Sequence, residues 1–454
     1  MPENTATAFA VSNVRLFVWF RVFFSARFYY PVFTILFLDF GLTLEQFAIL
    51  NAAWALTIVV CEVPSGALAD VFGRRQLLIT TGVLMVVEIL LLCVVPLGFP
   101  KLLFGVFLMN RVISGVAEAA ASGADEALAF DSLKEAGHEA DWGRVLAAQM
   151  RIQSAAFVVA MIIGAAVYDP ALMQRAADLL GLDIRLTQQY TLRFPLYLTL
   201  AMAVLALLTA LKMQESRECR EGASCRVSIR QAMDLTLAAG RWILQTPFAL
   251  VIMVGGLLFD SILRMTITLA SQYYRMIQLP EASFGLIGAA LAGVGLFMPL
   301  LAMQMAKRYS PMVNVGVMAI LAAVGLAGLT LFLPVVGLAP MFVLVGVMYL
   351  TGFFASHYLN RITESHQRAT VLSFRGLSFN LAYGLVGLLY SLLLAGLRSR
   401  SAAAESGLTG AGLENWVFTA SIDWFPWYFL ATMTLFVLFA ARRLKGSRSD
   451  RTAG

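Results

Sequence analysis

The sequence predicts an all-α protein that crosses a membrane many times, and three observations predict it. Of 454 residues, 60% are hydrophobic and only 13% are charged, whereas a water-facing protein carries about a quarter charged residues. Apolar runs of roughly 20 residues, the length a helix needs to cross a hydrocarbon core about 30 Å thick, recur along the whole chain. These runs are continuous rather than alternating, which suits helices and excludes the dyad pattern of a membrane β-barrel.

In chain order the spans are predicted at 14–38, 44–66, 75–97, 101–125, 144–168, 193–212, 247–271, 281–305, 311–334, 338–360, 368–396 and 425–442. Span 1 follows an opening without a basic stretch, "MPENTATAFAVSNVRLF", so it is expected to stay as an anchor rather than be cleaved. Span 2 runs into a charged knot, "EVPSGALADVFGRR" at 62–75, before span 3 begins. Spans 4 and 7 carry the densest intramembrane charge, and spans 5 and 11 each carry one arginine near an end. Span 12 opens on Trp424 and Trp427, residues suited to a membrane interface.

Lys and Arg set the orientation. Nineteen fall on the side of the knot and the termini, against seven on the other side. Positive residues stay inside, so the knot and both termini are expected in the cytosol, with the chain in a bacterial-type inner membrane. The net charge of +6 is thereby explained by orientation and not by a nucleic-acid partner. Cys61 and Cys93 fall in apolar runs, and Cys219 and Cys225 in a basic cytosolic loop, so no disulfide framework is expected. No histidine or further cysteine near Cys219 and Cys225 completes a zinc set, and no metal or cofactor is predicted.

The polar stretch 212–242 divides the chain into an N-terminal bundle (1–212), a cytosolic linker with an amphipathic segment (213–246) and a C-terminal bundle with a basic tail (247–454). The two bundles echo each other. "RVLAAQMRIQS" (144–154) and "RATVLSFRGLS" (368–378) share Arg, six residues, Arg, two residues, Ser. Arg27 and Asp260 each lie about 13 residues into the first span of their half. Such echoes point to a parallel duplication with a solute site at the junction of the repeats.

Gly66, Asp70, Gly73, Arg74 and Arg75 resemble the signature loop of the major facilitator superfamily, G-x-x-x-D-R-x-G-R-R, with Val71 where the family usually has a base. Twelve spans split six and six extend the resemblance over nearly the whole chain. It implies two pseudo-symmetric six-helix bundles, and a cytosolic gate in which Asp70, Arg74 and Arg75 latch the halves. Asp125, Glu126 and Asp131, near the cytosolic end, are expected to pair with the Arg74 cluster. A topogenic charge cluster is the alternative reading. Arg111 and Gly115 also resemble the family's R-x-x-x-G motif in helix 4, with Ser114 in place of the customary glutamine. In proton-coupled members that arginine is linked to proton transfer, and the resemblance extends this to Arg111. The helix-5 antiporter signature is absent from "FVVAMIIGAAVYDP".

Ionisable residues at bilayer depth cost at least a few kcal/mol each, which makes them functional candidates. Arg111, Glu118 and Asp125 are spaced by seven, so one stripe of span 4 is polar and must avoid lipid. A spacing of seven is too long for an intrahelical Arg111–Glu118 link, which leaves Glu118 as the predicted proton carrier, with Arg111 and Asp260 also placed in coupling. A link from Glu118 to another helix is the alternative. Arg27, Tyr30, Arg111, Glu118, Asp260 and Arg264 are predicted to line the substrate cavity; Asp260 and Arg264, four apart, can equally form a structural pair. Arg151 and Arg375 occupy equivalent places and are assigned to the inner gate, or to holding the cytosolic helix ends.

These features predict a monomeric secondary transporter that moves a small organic solute by alternating access, proton-coupled and exporting, with membrane lipid as its surroundings. Five mid-depth arginines (Arg27, Arg111, Arg151, Arg264 and Arg375) favour an anionic or amphipathic solute, which import or uniport would serve as well. A membrane enzyme lacks supporting chemistry, with no HExxH, nucleophile elbow or phosphate loop. A non-transporting receptor or scaffold is the remaining class.

Overall fold

The computed structural model describes residues 8–215, 229–364, 367–403, 408 and 410–452, excluding the side chains of 66–72, 229, 231–232, 368–369, 401–403 and 445–452. Cys219 and Cys225 lie outside the described residues. Among the described residues there is no strand, and twelve helical stretches are long and apolar enough to span a membrane. The membrane helices, labelled α1 to α12, run as follows. The first unit's set is α1 (Ser12–Ser25 and Phe33–Asp39), α2 (Leu44–Phe72), α3 (Arg74–Val94), α4 (Pro100–Ala121 and Ala124–Glu135), α5 (Trp142–Tyr168) and α6 (Phe194–Lys212). Then come α7 (Pro247–Thr268), α8 (Phe284–Arg308), α9 (Pro311–Leu329), α10 (Leu338–Ile362), α11 (Arg368–Ala403) and α12 (Gly410–Ile422 and Trp424–Thr452).

Local chemistry explains the starts. Proline stands in the first turn of α4, α6, α7 and α9, where its missing N–H removes no helical bond. It also explains the breaks, two of which differ from the sequence expectation. Span 4 is not one rod: Gly123, at φ 78°, sits in the left-handed region, and the chain restarts at Ala124. Asp125 therefore leaves the stripe that Arg111 and Glu118 share. The knot between spans 2 and 3 is barely a loop, because α2 continues to Phe72 and Gly73 alone, at φ 92°, turns the chain into α3. Nothing in 66–72 forbids a helix; the turn needs only one residue that tolerates positive φ.

The chain forms two compact units: Met1–Leu42, Ala53–Ala232 and Pro280–Ala289 in one, and Thr43–Ala52, Met233–Leu279 and Ala290–Gly454 in the other. The start of α2 thus belongs to the second unit and the start of α8 to the first. Lipid is as apolar as leucine, so helix association in each unit rests on close packing. In the first unit, Ala203, Ala206 and Ala210 give α6 a small-residue face packed with Phe20, Leu78 and Met85. A Cβ on Gly82 of α3 would lie 2.8 Å from Leu207 Cα, so only glycine permits that approach. In the second unit the linker helix, Ile229–Gln245, sets Ala239 and Ile243 against Met253, Leu359 and Val371, while Leu235 and Leu237 stay exposed.

Candidate functional site

In the first unit the site is built around a break in α1. Pro31 has no N–H and its ring crowds the carbonyl four residues back, that of Arg27, so an α-helix cannot run through this point. The freed groups find partners: Tyr30 N donates to Arg27 O at 3.1 Å, and Phe28 N donates to Thr199 Oγ1 of α6 at 3.1 Å. The neighbouring Gly164 of α5 makes the fit possible, since a Cβ there would lie 1.8 Å from Phe28 O. Gly164→Ala must push α5 away from the break. It is expected to cost about 1–3 kcal/mol, read as an earlier thermal melt of the purified protein; an unchanged melt would contradict this packing.

From the break Arg27 reaches α3 and forms a buried ion pair with Glu88. Glu88 O accepts from Asn110 Nδ2 of α4 at 2.9 Å, and Asn110 Oδ1 accepts from Arg111 Nε at 3.0 Å. Arg111 is only 4% exposed, with its guanidinium over the rings of Phe33 (5.4 Å) and Phe37 (5.5 Å). Its Nη2 is buried with no hydrogen-bond partner, and no carboxylate pairs with it among the described residues. Glu118, one face along α4, is exposed and likewise forms no ion pair there, although the fields of Arg27 and Arg21 reach it. Tyr30 is 43% exposed, within electrostatic reach of Arg27, Glu118 and Arg111. Gly115 lets α2 approach this helix, as a Cβ there would meet Thr57 Cβ at 2.8 Å.

The structure thus brings together Arg27, Tyr30, Arg111 and Glu118 of the predicted cavity residues in the first unit. Glu88 and Asn110 complete the network. Asn110 escaped sequence reading, because its role is to carry a bond between a backbone carbonyl and an arginine, which no spacing marks.

In the second unit, Asp260 and Arg264 form their i,i+4 ion pair at 2.7 Å. Arg264 Nη1 also donates to Asn380 Oδ1 of α11 at 2.8 Å and lies over the Tyr383 ring at 5.3 Å, whose hydroxyl is 3.1 Å from Thr268 Oγ1. Asn380 and Tyr383 follow Arg375 on α11 but carry no charge to draw attention. Arg375 lies over Phe379 at 6.0 Å, within electrostatic reach of Asp260, and its Nη1 is buried without a hydrogen-bond partner. Arg151, its sequence counterpart, is exposed and donates to Ala147 O of its own helix at 3.1 Å. The equivalence in sequence does not extend to surroundings.

At the other end of the first unit, Arg74 pairs with Asp131, whereas Asp125 and Glu126 pair with Arg21 and not with the knot. Arg75 does not seek an acid with its guanidinium. Its Nε donates to Met213 O at 2.6 Å and its Nη2 to Leu211 O at 3.1 Å, capping the carbonyls that end α6. Glu215 instead accepts from Arg75 N at 2.9 Å, and a Cβ on Gly73 would lie 2.7 Å from that carboxylate. Backbone acceptors are invisible in a sequence, which is why the arginines were expected to find only acids. The side chains of Gly66 and Asp70 lie outside the described residues.

Among the described residues, twelve helical stretches apolar and long enough to cross a bilayer define an integral membrane protein. A sequence model described as Major Facilitator Superfamily matches residues 16–387, and the chain belongs to that superfamily. No curated protein matches the sequence. Among solved structures the fold is similar to the nucleoside transporter NupG, with a TM-score of 0.69 at 14% identity over 94% of this chain and 98% of that one. It is similar also to a bacterial homolog of the human lysosomal transporter Spinster in an inward-facing, unoccupied conformation, with a TM-score of 0.69 at 15% identity over 98% of both chains. A D-xylose–proton symporter gives 0.63 at 14% identity over 93% and 96%. At such identities the likeness is one of fold. Family and fold point to a transporter rather than an enzyme.

Proposed function

We propose that the chain is a secondary transporter that moves a small organic anion, or an amphipathic anion, by alternating access, coupled to protons and working as an exporter. The observation that carries this reading is Arg111: a buried guanidinium with an unpartnered Nη2, over two aromatic rings and within electrostatic reach of Tyr30. A buried cation without a counter-ion is costly to hold, and an anionic solute supplies the missing partner in two-pronged form. Tyr30 and Phe33 give its apolar part a surface. Glu118, exposed and unpaired, is the group assigned to proton exchange, with Arg111 and Asp260 also assigned to coupling and Arg264 to the substrate cavity. Arg74, Arg75 and Asp131 are assigned to the cytosolic gate, with Arg151 and Arg375 beside it.

Alternating access also needs an opposite gate, and the second unit offers a clamp. Arg398 of α11 holds Glu45, at the start of α2, at 2.5 and 2.9 Å and Glu414, at the start of α12, at 2.6 Å. Both termini are placed in the cytosol of a bacterial-type inner membrane on the Lys and Arg asymmetry, which sets this clamp on the outer side.

In proteoliposomes, Glu118→Gln is expected to retain saturable solute exchange but to lose its response to an imposed pH gradient, with no substrate-dependent proton flux. A glutamine variant that follows the gradient as the native protein does removes Glu118 from coupling. Import of an anionic metabolite would use the same arginines, and the sign of the gradient that accelerates uptake separates it from export. Saturable movement by the purified protein separates both from a receptor or scaffold.

A further inference from the structure

Away from these charged groups, α7, α9, α10 and α12 of the second unit enclose a cavity of about 390 Å³. Its walls are apolar, among them Met318, Phe354 and Phe436, and neither Asp260 nor Arg264 lines it. An apolar cavity of about 150 Å³ accepts benzene, so this one has room for a longer hydrocarbon segment. Two of its lining residues, Met312 of α9 and Val437 of α12, are 58% and 49% exposed, so the cavity reaches the surface at these helices.

The cavity also has a polar point. Asn314, wholly buried, lines it; its Nδ2 donates to Tyr358 Oη at 2.8 Å and to Met305 O at 3.5 Å, while its Oδ1 is buried with no partner. A buried carbonyl oxygen without a donor costs about 1–3 kcal/mol, so the site asks for a hydroxyl or amine hydrogen. Cations stand at the same end. Lys307 and Arg308 precede the lining residue Ser310, and Arg442 and Arg443 precede the lining residue Leu444, all four exposed.

We infer that this cavity seats the acyl chain of an anionic glycerophospholipid whose head carries hydroxyl donors, of the phosphatidylglycerol type. The chain fills the apolar slot, a head hydroxyl donates to Asn314 Oδ1, and the phosphate meets the basic rim. Phosphatidylcholine offers neither net charge nor donor, and phosphatidylmethanol, a phosphodiester without a head hydroxyl, offers the charge alone.

The test uses the full-length protein in phosphatidylcholine vesicles doped with phosphatidylglycerol bearing a photoactivatable acyl chain, with cross-links mapped by mass spectrometry. Labelling is expected to concentrate on the peptides holding Met318 and Phe354. Val315→Trp, which fills the slot, is expected to reduce it to the level of the exposed helix faces. Arg308→Gln with Arg443→Gln, at exposed positions that leave the fold intact, is expected to weaken labelling about fivefold per cation removed. Phosphatidylmethanol should label less than phosphatidylglycerol, and phosphatidylcholine least. Equal labelling by all three heads, stronger labelling by a photoactivatable free fatty acid, or labelling unchanged in both variants would each overturn the assignment.

Discussion

Arg111→Gln is expected to weaken the apparent affinity for an anionic solute at least about tenfold while leaving the protein folded, and even to raise its melting temperature. The two effects have one cause. In the native chain the guanidinium is buried with Nη2 unpartnered and only Asn110 and two rings to satisfy it. Removing the charge relieves a desolvation cost in the protein alone, and glutamine can still donate towards Asn110. The solute loses a charge-assisted contact worth about 1.5–3 kcal/mol, which is roughly tenfold to over a hundredfold in apparent affinity. A site held at a cost to stability is what activity at this residue requires. Solute uptake and thermal melting, measured on the same preparation, check the pair of effects. A variant that melts lower and transports normally would assign Arg111 to structure.

Arg27→Ala is expected to do the reverse and remove the folded protein. Arg27 and Glu88 are both buried and pair only because the break in α1 brings them together. Deleting the cation leaves a carboxylate in an apolar interior whose other oxygen, Oε2, already has no partner. Breaking a buried pair from one side costs about 3–5 kcal/mol, a large share of the stability of any domain. Arg27→Met combined with Glu88→Leu removes both charges and is expected to restore folding, since apolar replacement of a whole buried pair is commonly neutral. Detergent-solubilised yield and melting temperature report both variants. If the single variant melts like the native protein, the ion pair is not what holds α1 to α3.

Much of this architecture was legible in the amino acids because the bilayer simplifies the problem. A span must be about 20 apolar residues long, and so 75–97, 193–212 and 338–360 lie within a few residues of helices that end where charge or proline resumes. The stripe on α4 was legible for the same reason, since helical spacing fixes that Arg111 and Glu118 cannot pair with each other. What escaped reading depends on backbone and on distance along the chain. The break at 26–29 was signalled by Pro31, yet its consequence needs Thr199 and Gly164, far away in sequence and brought near only by the bundle. Gly123 looked like one more small residue on a small-residue helix until its φ showed it as a stop. Arg75 found carbonyls, and Arg264 found Asn380 and Tyr383, partners that no charge pattern announces.

Transport by alternating access, as proposed, requires Tyr30 and Glu118 to border a wet path through the protein. It is tested most directly by Tyr30→Cys in a background with Cys61, Cys93, Cys219 and Cys225 replaced by alanine, treated in proteoliposomes with a charged thiol reagent that does not cross lipid. The expected result is labelling from one aqueous side, slowed when a transported anion is present. Labelling only by a lipid-soluble reagent, indifferent to solute, would contradict it.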